Sequence, residues 1–145
     1  TYIRIMGGAG LKLASQLAVL NANYMQSRLK EAYIPSHDTL CKHEFVLAGL
    51  REPGEVTTLD VAKGLIDRGY HPPTIYFPLI VENAIMIEPT ETESKQSLDG
   101  LVEALLAIAD EAKAQPEALK QSPLKASVRR LDEVSAARNP ILKAY

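Results

Sequence analysis

The chain has 145 residues, 46% of them hydrophobic, with 16 basic and 18 acidic side chains. That is enough to bury one sizeable core, and one domain is the default. A formal charge of −2 leaves no basic footprint for nucleic acid and no cationic face for an anionic membrane, and the lone Cys41 excludes an internal disulfide and multi-cysteine metal sites, pointing to a reducing, cytosolic setting.

No apolar run approaches the ~18 residues of a membrane span, and the start lacks a signal-peptide pattern. A chain opening on Thr1 reads as the interior of something longer. The stretch Arg4 to Gly10 fits neither GxGxxG nor the P-loop spacing, and reads as a hinge into a helix.

Residues 10–32 carry a helical pattern. Leu11, Ala14, Ala18, Met25 and Leu29 lie along one face; Leu13, Leu17, Leu20 and Tyr24 lie along a second. A helix apolar on two faces needs cover on both. Ile34-Pro35 and Ser36-His37-Asp38 break the pattern. Residues 42–48 read as a strand and 49–55 as a loop.

A second helix follows, with Thr57 as N-cap, Asp60 at N3 and a Val56–Val61 staple. Gly69 suits its left-handed terminus, and Pro72-Pro73 ensures that it stops. Residues 74–81 read as a strand limited by Pro78, Glu82-Asn83 as a turn, and 84–88 as a third strand. A third helix is predicted from about Glu91 to Ala112, capped by Thr90 with Glu93 as its capping-box partner. Its buried stripe is Leu98, Leu101, Val102, Leu105, Ile108 and Ala112. Residues 114–145, cut by Pro116, Pro123 and Pro140, read as a tail with one or two short helices, lying over a surface rather than building a core.

The order predicts an α+β fold: a short, mostly antiparallel sheet with helices on one face. The divisions are 1–32, a glycine-rich lead-in and connecting helix; 33–113, a small α+β domain; and 114–145, an irregular tail.

Few residues carry chemistry. His37, His43 and His71 have no metal spacing, and Cys41 with His43 is a weak signal. His71 is held rigidly before two prolines, where it either serves a site or caps the preceding helix. Capping accounts for Thr90 and Glu93, but not for Glu88, which closes an apolar strand and must find a partner or face a cleft. The substrate-cleft candidates are therefore His71, Glu88 and Thr90, with an ordinary surface ion pair as the competing account of Glu88.

The blocks HPPTIYFP (71–78) and IMIEPTETESK (85–95), with RIMGGAGLKLASQLAVLNANYM (4–25), CKHEFVL (41–47) and VRRLDEVSAARNPILKAY (128–145), resemble one family. It is the pyridoxal-phosphate-dependent glycine decarboxylase, the P-protein of the glycine cleavage system, in the C-terminal part of bacterial subunit 2. The resemblance implies the small C-terminal domain of a type I pyridoxal phosphate enzyme. The complete enzyme would decarboxylate glycine and pass the aminomethyl group to the lipoyl H-protein, with P-protein subunit 1 as partner. None of the nine lysines lies in a context like the family's coenzyme lysine. This chain alone is expected to hold no pyridoxal phosphate, to be inactive, and to self-associate through its first helix. The rival expectation is a free-standing α+β module that binds a ligand or a protein.

Overall fold

The structure is a computed structural model and describes residues 1–143. Its elements are α1 (Tyr2–Leu29), β1 (Tyr33–Pro35), β2 (Phe45–Leu50), α2 (Thr58–Asp67), β3 (Thr74–Ile75), β4 (Ile85–Ile87), α3 (Lys95–Ala114), α4 (Pro116–Lys120) and α5 (Glu133–Arg138). The four strands form one antiparallel sheet in the order β1-β2-β4-β3. Pairing sets Val46 opposite Met86, and Thr74 opposite the same Met86. Those residues share the open face, while Phe45, Leu47, Ile85 and Ile87 turn into the core. The α+β layer expected from the sequence is present.

The core joins that sheet face to Ala22, Met25 and Leu29 of α1, Val61 and Leu65 of α2, and the Leu98–Ala112 stripe of α3. α2 forms as its local signals dictate. Thr57 accepts from the Asp60 N–H while Asp60 accepts from the Thr57 N–H, a full capping box. At the other end Gly69 takes φ +81°. The Tyr70 N–H reaches the Leu65 carbonyl and the Gly69 N–H the Ile66 carbonyl, which is a Schellman ending.

Several expectations are corrected. α1 begins at Tyr2, not residue 10, and Gly7 at φ 60° and ψ −178° breaks it there. β1 was read only as a break. It pairs with β2, and its Tyr33 is wholly buried with its hydroxyl donating to the Leu105 carbonyl. The strand expected over 74–81 stops at Ile75, because Tyr76 turns left-handed at φ 58° and Pro78 has no N–H to offer a ladder. The tail does contribute to the core, through Leu119 of α4. Residues 144 and 145, at the end of that tail, lie outside the described residues.

The start of α3 is also corrected. Its N-cap is Ser94, whose hydroxyl accepts from the Ser97 N–H at 3.1 Å, and not Thr90. The Thr90 hydroxyl pairs with that of Thr92, and its carbonyl is taken by Asn21 of α1 at 2.9 Å. Ser94→Ala is therefore expected to lower stability by about 0.5–2 kcal/mol. Thr90→Ala should change it by less than about 0.5 kcal/mol. Urea midpoints of the two variants compare them directly, and equal losses would return the cap to Thr90.

By length and composition alone α1 is long and apolar enough to cross a bilayer, which a count of uninterrupted apolar residues had missed. Its second half is instead tied to protein. Asn23 brackets Cys41 through both its N–H and its carbonyl, and Tyr24 bonds Asp99 of α3.

Candidate functional site

The β3–β4 register positions the site. Thr74 faces Met86, so the ladder runs out with Glu88 across from Pro72 and next to His71. Residues 76–78 lie at the opposite end of the hairpin from Glu88, because the connecting loop is longer than the tight turn expected at Glu82-Asn83. A cleft of about 450 Å³ opens here, lined by Tyr70, His71, Met86, Glu88, Glu93 and Leu98 among others. His71 is carried by the Pro72-Pro73 segment, where φ is fixed, so its place is set by the backbone. Tyr70 lies across α3 so closely that a Cβ on Gly100 would stand 2.5 Å from its hydroxyl.

Glu88 is exposed at the lip, with the His43 Nε2 at 3.8 Å. Among the described residues it makes no ion pair with any Lys or Arg. It also borders a second cleft of about 500 Å³ beneath the first half of α1, with Tyr2, His43 and Thr90. The structure thus brings His71 and Glu88 to one cleft, and Glu88 and Thr90 to a neighbouring one. Tyr2 donates to Glu91 at 3.1 Å at its edge, and this bond holds the Tyr2 phenol protonated to higher pH than usual.

Sequence reasoning missed the role of His43. It was weighed with Cys41 as a metal pair, but both lie in a loop and not on a strand. Burial pushes the Cys41 thiol up, which disfavours a reactive thiolate. No cluster of three metal-ligating side chains occurs among the described residues. Also missed was a polar knot between α1 and α3. Tyr24 donates to Asp99, Arg28 donates to the Tyr24 hydroxyl at 2.7 Å, and Lys95 binds Asp99 at 2.5 Å. The i,i+4 spacing of Lys95 and Asp99 was the visible signal.

An open apolar cleft at one end of a small antiparallel sheet, lipped by an imidazole and a carboxylate, with a long helix running past it, defines a small α+β domain. The chain matches the family described as glycine dehydrogenase, C-terminal domain, over residues 14–129, and it belongs to that family. It is 63% identical over 144 residues to a probable glycine dehydrogenase (decarboxylating) subunit 2 of Caldanaerobacter subterraneus. Proteins of the same description from Exiguobacterium sibiricum and Listeria monocytogenes are 58% and 57% identical. Each match covers 99% of this chain but only 29–30% of the relative. In those proteins the matched part is one portion of a longer subunit rather than a free-standing module.

The residues present do not suit pyridoxal phosphate, the coenzyme that the family implies. Its lysine must be free to act as a neutral amine. The cleft that holds His71 and Glu88 is lined by no lysine. Lys95, on the adjoining surface, is bound by Asp99, which raises its pKa and keeps it charged. Lys42 borders the second cleft but is exposed at its rim.

Proposed function

We propose that this chain is the cleft-shaping C-terminal domain of a cytoplasmic glycine decarboxylase subunit. The whole enzyme would decarboxylate glycine on pyridoxal phosphate and hand the aminomethyl group to the lipoyl H-protein, with P-protein subunit 1 as partner. The coenzyme would be held elsewhere in the enzyme, and the chain alone would be inactive. Residues 1–32 would lead in from the coenzyme domain, 33–113 form the small domain, and 114–145 the tail. The exposed Ile5, Leu13 and Leu20 on α1 would rest on that coenzyme domain. Left bare in the isolated chain, they would make it self-associate.

The observation that carries this reading is the meeting of His71 and Glu88 at one cleft. A carboxylate accepts hydrogen bonds from an ammonium, and an imidazole N–H donates to a carboxylate. The pair suits the two ends of a small amino acid, with Thr90 on the far side of Glu88.

The test is glycine–bicarbonate exchange by the reassembled holoenzyme carrying Glu88→Gln or His71→Asn. Loss of about tenfold or more with normal folding is expected, in the range of one positioned polar group. Wild-type rate and wild-type dependence on H-protein in both variants would make the cleft assignment untenable.

A further inference from the structure

Two exposed apolar elements sit at the end of the sheet away from the cleft. The first is the loop between β3 and β4. Phe77 is 53% exposed, Leu79 87% and Ile80 92%. Loop tips ordinarily carry Gly, Asn, Asp or Ser; this one carries Leu-Ile. It is also fixed in place. The Tyr76 N–H donates to the Ala84 carbonyl at 2.8 Å, the Val81 N–H to Pro78 at 3.0 Å, and the Thr58 hydroxyl to Asn83 at 3.0 Å. It is a held knob.

The second element is the chain beyond Arg130. Arg130 binds Asp60 at 2.5 Å and the Ser122 carbonyl at 2.8 Å. From there Leu131 and Val134 are 63% and 61% exposed, and the six residues of α5 bury nothing. A helix this short is not stable alone in water and needs a surface to lie on. Knob and arm are both pinned to the first turn of α2, by Thr58 and Asp60, so they share one end of the molecule.

That end faces away from where the rest of the subunit attaches. α1 finishes near the knob end, where the Lys30 carbonyl accepts from Arg51. It runs back past the cleft to Tyr2, which bonds Glu91. From Gly8 to Leu29 it spans about 33 Å, whereas strands of three residues span about 10 Å. Longer than the sheet and bent at Gly7, it therefore brings its free end to the cleft side, where Tyr2 lines the second cleft. In the relatives the matched part is the C-terminal portion, so the preceding chain joins α1 on the cleft side. A body attached there leaves the knob and arm for another chain.

We infer that the knob at 77–80 and the arm from Leu131 form a docking face for the companion subunit, received by an apolar socket. This rests on the two-subunit reading above. The test uses full-length subunit 2 carrying either Leu79→Asp with Ile80→Asp, or Leu131→Asp with Val134→Asp. Each is titrated with subunit 1 in sedimentation velocity. The four positions are exposed, and circular dichroism with a thermal midpoint confirms folding. Should a charged pair misfold, the milder Ile80→Ser and Val134→Ser take its place.

Each pair is expected to raise the dissociation constant about tenfold or more, as for central apolar contacts. Wild-type binding to subunit 1 with unaffected variants would overturn the docking face alone. Failure of wild-type subunit 2 to bind subunit 1 would overturn the two-subunit reading and this inference together. Loss of subunit 2 self-association with subunit 1 binding intact would give the face to a second copy, and so also overturn the inference.

Discussion

Leu119→Ala is expected to destabilise the chain by about 2–5 kcal/mol, the range for a buried leucine whose cavity cannot collapse. Leu119 is 1% exposed although it lies beyond the last long helix. It inserts into the seam between α2 and α3. A Cβ built on Gly64 would stand 2.8 Å from its Cδ1 and 3.3 Å from that of Ile108. The missing side chain at Gly64 is what admits it, so the seam is matched to leucine and has no neighbour ready to fill the gap. α4 is also tied from outside, since Lys120 binds Glu55 of the loop before α2. Against a typical total of about 5–15 kcal/mol, such a loss is a large fraction. Urea unfolding of wild type and variant measures it. A change below about 1 kcal/mol would mean that α4 lies on the surface, as the sequence had suggested.

How much was legible depended on whether the deciding contact was local. Both ends of α2 were readable because Thr57, Asp60 and Gly69 settle them within a few residues. The α3 stripe was readable for the same reason. Its start was not: Thr90-x-x-Glu93 and Ser94 are rival caps four residues apart. The winner emerges only when Asn21, distant in sequence, takes the Thr90 carbonyl. β1 was invisible because three residues containing a proline carry no pattern. What fixes Tyr33 is the Leu105 carbonyl on α3. For the site, Glu88 was visible as the carboxylate that capping could not explain, and His71 as an imidazole on a rigid segment. Their meeting needed the register Thr74 to Met86, which a longer loop than expected had shifted. His43 entered only through tertiary structure.

Asp60→Asn is expected to lower stability by about 2–4 kcal/mol near neutral pH, and by progressively less in acid. One Asp60 oxygen accepts from the Thr57 N–H and hydroxyl, both at 2.7 Å, and the other binds Arg130. Asn keeps one acceptor oxygen for the Thr57 donors, but it sets an uncharged amide donor against Arg130, so the variant loses the partner of a partly buried guanidinium. Removing one side of a buried pair costs about 3–5 kcal/mol. The figure is discounted because the Arg130 side chain is 36% exposed and water screens it. Burial pushes the Asp60 carboxyl up, but the Thr57 donors and Arg130 outweigh it and hold the group below the usual carboxylate range. Asp67 behaves alike: the backbone N–H groups of Lys125 and Leu124 overcome its desolvation. A folded-state pKa below the unfolded value of about 3.9 contributes stability that is complete above that value. The contribution disappears as pH falls through the folded pKa. Both carboxylates secure the tail to α2, so acid should loosen residues 122–130 first. Urea midpoints from about pH 7 to pH 2.5 follow this directly, the wild type falling towards the variant as Asp60 gains its proton. A deficit of the same size at both ends of that range would show that the carboxylate's charge plays no part, and that Asp60 acts through packing alone.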